Sequence, residues 1–324
     1  MDDLYYTSYS EGKPDADTIR FITAIAAAGL PPVSELTPEM ARQRNMVRAF
    51  SIKAEPIGKV HDKVIPGPYG DIPFRIYTPE GDGPFPLLLY MHGGGWVVGT
   101  LNDFDSVCRL LCAGSGYMVV SVDYQLAPEA KFPVAIEEGY TVLKWISDQA
   151  PSMGADPGRI AVGGDSAGAT MAAVLALMAR DRKGPDLFFQ LLICPATNLS
   201  QMDTSSYNSF SKGIWLSEEM MDWYIDHYLS KPEEANNPYV SPLLESDLSK
   251  LPPAFILTAE FDVLRDEAEE YAKRLQQAGV EVKWKRYTGQ IHDFVIFGKV
   301  LYKAKEALND CCVELRNYGN TVIQ

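Results

Sequence analysis

Apolar segments of strand length alternate with amphipathic segments along most of the chain. From Pro86 onward, the runs PLLLYM, YMVVSVDY and FFQLLICP are largely apolar at consecutive positions, and the segments between them repeat apolar residues at helical spacing. Strands that are buried on both faces and separated by helices are typical of a mostly parallel sheet covered by helices. The pattern therefore predicts an α/β fold with helices on both faces of a central sheet.

The same alternation predicts the remaining elements. Further strands are expected in RIAVGGD, PAFILTAEF and EVKWKRYTG, and a hairpin-like pair of strands in KVHDKVIPGPYGDIPFRIYTP precedes them. Helices are expected in FDSVCRLLCAGSG, AIEEGYTVLKWISDQA, SAGATMAAVLALMARD, RDEAEEYAKRLQQAGV and residues 297–318.

Two stretches lie outside this alternation and predict a cap. Residues 1 to about 55 contain helical segments, one of which begins with Thr37 as N-cap and Pro38 at the first helical position. Residues 196–251 form a long interval with one helical segment, SEEMMDWYIDHYL. Long loops in compact domains usually carry function, and ligands bind at the carboxyl ends of parallel strands. We therefore expect one domain, 1–324, with a cap of about 1–55 and 197–250 over a catalytic core of about 56–196 and 251–324.

Charge and hydropathy argue against several classes of partner. The chain has 43 acidic and 29 basic side chains, a net charge of −14, which disfavours nucleic acids and anionic membrane surfaces. Its first residues lack the features of a secretory signal, and no apolar run reaches the roughly 20 residues of a membrane-spanning helix. Five cysteines without paired spacing predict reduced thiols rather than disulfides or a zinc site. We therefore expect a cytoplasmic location and no bound metal.

A candidate nucleophile follows the strand RIAV. The segment GGDSAGA contains the pattern G-x-S-x-G around Ser166 and leads into a predicted helix. Such a tight strand-to-helix turn exposes the serine hydroxyl, and its glycines let the strand and helix approach closely. The strand, the turn and the helix all occur in the order that this motif requires.

A serine nucleophile needs a base, and the base needs an orienting acid. In α/β-hydrolases the order is serine, acid, histidine, which leaves His227 and His292 as bases. His227 falls within the helical segment of the cap, whereas His292 follows the last strand, so we favour His292. Asp262 ends the preceding strand and is favoured as the acid over Glu260, Asp266 and Glu267.

The stretch HGGG, residues 92–95, directly follows the strand PLLLYM. A tetrahedral intermediate needs backbone N–H groups aimed at its oxyanion, one from Ala167 and others from a loop after an earlier strand. Glycines allow such a loop to approach the substrate closely. A phosphate-binding loop is the alternative, but the stretch lacks the lysine and hydroxyl of a P-loop and the G-x-G-x-x-G of a dinucleotide site.

Taken together, the motifs resemble those of the hormone-sensitive lipase family of α/β-hydrolase esterases. The resemblance extends from about residue 86 to 292 and is carried by HGGGWVVG, DYQLAPEAKFP, GGDSAGA, EFDVLRDE and GQIHDF, in family order. It implies a carboxylesterase with a helical cap and a preference for short to medium acyl chains. It also implies Ser166, Asp262 and His292 as the triad, and Gly94, Gly95 and Ala167 as oxyanion donors.

Three positions depart from the family pattern. Gln125 replaces an arginine, Val263 replaces a proline after the acid, and Asp293 follows the base where glycine is common. We expect the first change to remove a structural ion pair. Aromatic and apolar residues near the predicted site and in the cap are candidates for the substrate pocket: Trp96, Tyr207, Phe210, Ile214 and Trp215.

The sequence therefore predicts a serine carboxylic ester hydrolase that acts on a small-molecule ester through an acyl-enzyme, without a cofactor. Two alternatives remain: an amidase, peptidase or deacetylase using the same triad, and a non-catalytic small-molecule receptor on the same fold. The second is disfavoured because the base is present. The final strand, EVKWKRY, is expected at the edge of the sheet, where it offers a surface for a homodimer.

Overall fold

The apolar runs of the sequence form one eight-stranded sheet. The computed structural model describes residues 12–44, 46–212 and 215–321, with the side chains of Met46, Asn320 and Thr321 left aside. The strands are β1 Lys59–Gly67, β2 Gly70–Thr78, β3 Phe85–Met91, β4 Met118–Val122, β5 Ala155–Asp165, β6 Phe189–Ile193, β7 Ala254–Phe261 and β8 Val282–Ile291.

The sheet order is β1-β2-β4-β3-β5-β6-β7-β8. Strands β3 to β8 pair in parallel, whereas β1 and β2 form an antiparallel hairpin whose second strand also pairs antiparallel with β4. The mostly parallel α/β sheet predicted from the sequence is confirmed. Strand β4 lies on one side of β3, and β5 lies on the other. The strand order therefore first grows toward one edge of the sheet and then toward the opposite edge, and it reverses between β3 and β5. Ligands of open α/β sheets bind at such a reversal, beyond the carboxyl ends of the strands.

Ten α-helices occur within the described residues, and the crossover helices cover both faces of the sheet. Helix α4 packs against α10, and α5 packs against α6. The helices are α1 Ala16–Ala27, α2 Pro38–Gln43, α3 Met46–Phe50, α4 Asp105–Ser115, α5 Val134–Met153, α6 Ala167–Asp181, α7 Ser205–Phe210, α8 Glu218–Tyr228, α9 Arg265–Gln277 and α10 Lys303–Thr321. Short 3-10 helices cover Val33–Glu35, Pro232–Asn236, Pro242–Leu244 and Phe294–Phe297.

The N-terminal helices begin where the sequence predicts them but are shorter. The Thr37 hydroxyl accepts the N–H of Met40 at 3.2 Å and caps α2 as expected. The helical pattern from Thr37 to Phe50 is nevertheless divided between α2 and α3, because Arg44 leaves the helical conformation with ψ 99°. Its guanidinium group instead donates to the carbonyl of Pro31.

The interior of the sheet is apolar on both faces, as continuous strand runs require. Strands β4 and β6 are buried along their whole length, and α6 is buried at nearly every position. All five cysteines are buried and free of disulfides. Among the described helices, none is both long and apolar enough to span a membrane.

Candidate active site

Ser166 lies in the tight turn between β5 and α6. Its φ of 51° and ψ of −123° fall in a region that non-glycine residues rarely adopt, and its N–H donates to the Ile193 carbonyl at 2.7 Å. Such strain is typical of functional positions and is held in place by the surrounding packing. Gly168 is needed for that packing, because a Cβ there would lie 2.0 Å from the Met91 carbonyl oxygen. The turn therefore presents the hydroxyl above the sheet.

The structure brings Ser166, Asp262 and His292 together in one hydrogen-bonded line. His292 Nε2 lies 2.8 Å from Ser166 Oγ, and His292 Nδ1 lies 2.7 Å from Asp262 Oδ2. The other oxygen of Asp262 accepts the N–H of Leu264 at 3.0 Å, which fixes the carboxylate. Asp262 and His292 are both buried, so little water competes for these bonds. The arrangement suits transfer of a proton from the hydroxyl to the imidazole.

The other candidate residues have different partners. His227, in the last turn of α8, bonds the Trp223 carbonyl through Nδ1. Glu260 accepts the N–H of Gly289 at 2.6 Å, and Asp266 accepts the N–H of Ser206 at 2.8 Å. Glu267 accepts two backbone N–H groups of the loop after β6. These carboxylates hold loops around the site and do not contact the imidazole of His292.

The glycine loop after β3 faces the same space as Ser166. Gly94 and Gly95 adopt φ values of 114° and 59°, and Gly94 closes a turn by accepting the N–H groups of Val97 and Val98. Gly94, Gly95 and Ala167 all line the cavity that also contains Ser166. Backbone N–H groups in such a loop and at the start of α6 are suited to binding an oxyanion.

His92, at the start of the loop, is a structural residue. Its ring stacks on Tyr124 and Phe104, with centroids 4.3 and 5.2 Å away. Complete burial lowers its pKa to about 4, so the ring is neutral near pH 7. It therefore supports the loop without adding a charge to the site.

A cavity of about 150 Å³ lies over Ser166. Its walls combine the turn, the glycine loop and His292 with side chains from both segments of the predicted cap. The cap side chains are Ala41, Arg42, Arg44 and Val47 from the N-terminal segment, and Trp215, Leu216, Met220, Met221 and Tyr224 from the later segment. The cavity is thus largely apolar, with Arg42, Arg44 and Asp103 adding charge to its lining.

The candidate pocket residues divide into three groups. Trp96 and Trp215 line the cavity. Tyr207 and Phe210 of α7 do not, which corrects the expectation for these two: both are buried, and the Phe210 ring packs 5.5 Å from that of Phe261 in β7. Ile214 lies outside the described residues.

Sequence reasoning missed two residues that shape the site. Tyr224 of α8 lies against the glycine loop so closely that a Cβ on Gly95 would come within 2.2 Å of its ring. The sequence offered one signal for Tyr224. It lies four residues, about one helical turn, after Met220 in the predicted cap helix, so the two side chains share a face. Arg42 of α2 bonds Glu129 and two carbonyls near the loop, which no local pattern predicts.

The departures from the family pattern also have structural outcomes. The Gln125 backbone N–H and side-chain amide both donate to the buried carboxyl group of Glu138, at 2.8 and 2.5 Å. We expected a structural ion pair to be lost at this position, and the neutral Gln125 amide bonds the Glu138 carboxyl group there. Val263 is fully buried. Asp293 is buried as well, and its carboxyl group contacts that of Asp165, the residue before Ser166.

One group of described side chains has spacing that could hold a metal ion. The ligand atoms of Cys194, Asp262 and His292 lie within 4.8 Å of one another. His292 and Asp262 already bond each other at 2.7 Å, closer than two ligands of one ion would stand. We therefore assign no metal role to this group.

Known proteins resemble this chain over most of its length. A family model described as alpha/beta hydrolase fold matches residues 88–296. The chain belongs to this α/β-hydrolase family. It is 44% identical over 243 residues to the carboxylic ester hydrolase LipN of Mycobacterium tuberculosis, a match that covers 73% of this chain and 64% of LipN.

Two further relatives extend the comparison. An ethyl acetate hydrolase of Pseudomonas putida is 37% identical over 241 residues, which is 73% of this chain and 76% of that protein. The solved structure of a hyperthermophilic esterase from Pyrobaculum calidifontis is 40% identical with a TM-score of 0.90, covering 95% of this chain and 99% of that one. The resemblance to hormone-sensitive-lipase-like esterases is thereby confirmed for this α/β hydrolase.

Proposed function

We propose that this α/β hydrolase is a serine carboxylic ester hydrolase with Ser166 as nucleophile, His292 as base and Asp262 as orienting acid. The observation that carries the proposal is the continuous hydrogen-bonded line from Ser166 Oγ through both ring nitrogens of His292 to Asp262. The kinship with ester hydrolases supports the same reaction.

In the first half of the reaction, His292 Nε2 takes the proton of Ser166 Oγ while the oxygen attacks the ester carbonyl carbon. Asp262 keeps the other ring proton on Nδ1 and stabilises the imidazolium that forms. The oxyanion accepts hydrogen bonds from the N–H groups of Gly94, Gly95 and Ala167. When the intermediate collapses, the imidazolium protonates the departing alcohol and an acyl group stays on Ser166.

The second half uses water as the nucleophile. His292 removes a proton from the water, which attacks the acyl carbon, and then returns that proton to Ser166 Oγ as the carboxylic acid leaves. Apart from the ester and this water, the proposed steps involve side chains and backbone groups of the chain.

We further propose a preference for short to medium acyl chains. A cavity of about 150 Å³ with a largely apolar lining has the size that accommodates a benzene-sized group. The relative that hydrolyses ethyl acetate supports a small substrate. Trp96 and Trp215, which line the cavity, are the proposed substrate contacts.

The test uses a panel of p-nitrophenyl esters from acetate to decanoate, with the matching p-nitroanilides. We expect turnover of the short esters, decline at longer chains, and loss of about 10⁴-fold or more of kcat in Ser166→Ala. Ser152→Ala, an exposed serine, is the matched control. Full activity in Ser166→Ala would refute the assignment of the nucleophile.

Two measurements distinguish the alternatives. A fluorophosphonate probe should label the peptide that contains Ser166, whereas a non-catalytic receptor would not react. Faster turnover of an anilide than of its ester would instead favour the amidase alternative. The intact Ser166–His292 bond supports the hydrolase over the receptor.

Three further expectations are retained as proposals. The buried free cysteines are compatible with a cytoplasmic location. The cavity lining supports a cap built from about 1–55 and 197–250.

Strand β8 is the edge strand at one side of the sheet, and it carries Trp284, which is 40% exposed. We therefore propose a homodimer through this edge. Sedimentation of the protein and of Trp284→Lys, expected to be dimeric and monomeric respectively, tests the last point.

A further inference from the structure

Asp293 holds a backbone conformation that glycine would adopt with less strain. Its φ of 54° and ψ of 31° lie in the left-handed region, which asparagine and aspartate tolerate better than most residues. It directly follows His292, and its carbonyl accepts the N–H of Ile296 at 3.2 Å. Strained positions persist only where contacts hold them, so the side chain of Asp293 is expected to have a firm partner.

That partner is Asp165. The two carboxyl groups lie within hydrogen-bonding reach of each other, and both residues are buried. Neither Asp165 Oδ2 nor Asp293 Oδ1 accepts a well-aligned hydrogen bond from a donor of the described residues. Two carboxyl groups in buried contact cannot both be ionised, so the pair shares one proton near pH 7.

The surrounding donors decide which residue keeps the proton. The Tyr90 hydroxyl donates to Asp165 Oδ1 at 2.6 Å, and the Gly93 N–H also faces that carboxyl group. Burial raises the pKa of Asp165 to about 6, and these donors limit the rise by stabilising its anion. Burial and the neighbouring Asp165 charge raise the pKa of Asp293 well above its usual range. Asp293 is therefore the neutral acid, and its O–H donates to the Asp165 carboxylate.

The pair connects the two loops of the site. Asp165 ends β5 and Ser166 follows it in the turn, whereas His292 and Asp293 are consecutive in the loop after β8, three strands away. The Ser166–His292 hydrogen bond and the Asp165–Asp293 contact thus join the same two dipeptides.

We propose that Asp293 is a positioning residue, whose neutral carboxyl group ties the His292 loop to the Ser166 turn and releases that tie when it ionises. The proposal rests on the proposed function, since the tie matters only if His292 is the base. Its consequence is a fall in esterase activity on the alkaline side, when a second negative charge enters the buried pair.

Among the titratable groups around the pair, Asp293 is the one whose ionisation changes the charge of the site on the alkaline side. Burial raises the pKa of four neighbouring groups, and all four stay neutral into the alkaline range: Tyr90 of β3, Tyr124 after β4, Cys194 after β6 and Cys108 of α4. His92 is neutral because its pKa is lowered to about 4. Asp262 after β7 contributes repulsion that favours the neutral form of Asp293, and His292 favours the anion on Asp165.

The decisive experiment compares three proteins by pH-stat hydrolysis of ethyl butyrate from pH 5 to 10. Asp293→Asn keeps a donor toward Asp165 and tolerates the left-handed conformation, but it cannot ionise. We expect its kcat near pH 7 to stay within about 3-fold of the parent and its alkaline decline to move up by about one pH unit or more.

Asp293→Gly is the matched control for the backbone, because it relieves the strain and removes the carboxyl group. We expect a fall in kcat of about 10-fold with little change in KM, since the base is less well held. Thermal unfolding at each pH confirms that the variants remain folded. The proposal would be overturned if the kcat of Asp293→Asn declined at the same alkaline pH as that of the parent, or if Asp293→Gly kept full kcat.

Infrared spectroscopy gives a readout that does not need activity. Near pH 7, subtracting the Asp293→Asn spectrum from the parent spectrum should leave the C=O stretch of one buried neutral carboxyl group. Burial raises the pKa of Glu267 to about 8, so Glu267 contributes to both spectra and cancels in the difference. If the parent hydrolyses no ester, the proposed function fails while this measurement still decides whether the protonated pair exists. If the parent is active but this band is absent, only the inference about Asp293 fails.

Discussion

Arg42 and Glu129 form a two-point ion pair, with Nη1–Oε1 and Nη2–Oε2 distances of 2.8 and 2.6 Å. The same guanidinium group donates from Nε to the Val97 carbonyl and from Nη2 to the Ala127 carbonyl, at 2.8 Å each. Arg42 lies in α2 and Val97 follows the glycine loop. One side chain therefore connects the N-terminal part of the predicted cap to the loop that we propose as the oxyanion site.

The first prediction concerns this connection. Arg42→Lys keeps the charge but loses the forked geometry, so it cannot hold both carbonyls and the carboxylate. We expect kcat/KM for p-nitrophenyl butyrate to fall by about 3- to 10-fold, because the loop is less well positioned. The melting temperature should change little, since the Glu129 side chain is 65% exposed and such pairs add little stability.

Glu129→Gln is the control for this prediction, because it weakens the ion pair while leaving Arg42 free to bond both carbonyls. We expect a smaller loss of kcat/KM than in Arg42→Lys. Equal losses in the two variants would show that the ion pair, rather than the bonds to Val97 and Ala127, positions the loop.

The second prediction concerns space at the glycine loop. Gly95→Ala would place a Cβ 2.2 Å from the Tyr224 ring at a φ of 59°. The loop must shift, and we expect kcat to fall by about 10²- to 10³-fold, as for loss of an oxyanion donor. Steady-state kinetics with p-nitrophenyl acetate measures the change.

Gly29→Ala is the matched control, because Gly29 has a similar φ of 62° but no atom within 4 Å of its Cβ position. It should show a small loss of stability and unchanged kcat. The double variant Gly95→Ala/Tyr224→Ala removes the clash and should recover part of the activity. No recovery would mean that backbone strain at Gly95, not contact with Tyr224, causes the defect.

Local sequence signals predict the sheet, its parallel pairing and the three residues of the hydrogen-bonded line. Ser166 stands in a turn with a recognisable glycine pattern, and only four histidines compete to be its base. His292 and Asp262 follow the ends of neighbouring parallel strands, which meet at one edge of a sheet. Their catalytic roles stay predictions until the variants are measured.

Contacts between distant segments are what the sequence does not predict. Arg42 and Glu129 are 87 residues apart, and nothing near either residue indicates the other. The aromatic residues of the cap show the same limit, because helical spacing does not tell which face points into the cavity. Trp215 lines the cavity, whereas Tyr207 and Phe210 are buried away from it.

The third prediction concerns the pH dependence of stability at Glu267. Its Oε1 accepts the N–H groups of Thr197 and Asn198 at 2.6 and 3.0 Å, and its Oε2 is buried without a hydrogen-bond donor among the described residues. Burial raises the pKa of Glu267 to about 8 in the folded protein, from 4.5 for an ordinary glutamate. Between these values the folded state holds a proton that the unfolded state has released. The contribution of Glu267 to stability is therefore complete below about pH 4.5 and is lost as the pH rises through about 8.

Glu267→Gln has an amide that resembles the neutral acid, keeps the acceptor for the two N–H groups and does not titrate. The free energy of unfolding of the parent and of this variant is measured with urea at pH 5.5, 6.5, 7.5 and 8.5. Between about pH 4.5 and 8, the difference in favour of the variant should increase by about 1 kcal/mol per pH unit. Contributions from the Asp165–Asp293 pair cancel in this difference, because both proteins contain it. Glu270→Gln, at an exposed position of the same helix, should run parallel to the parent. Parallel curves for Glu267→Gln as well would mean that Glu267 is ionised in the folded protein, and that the two backbone N–H groups stabilise its charge against burial.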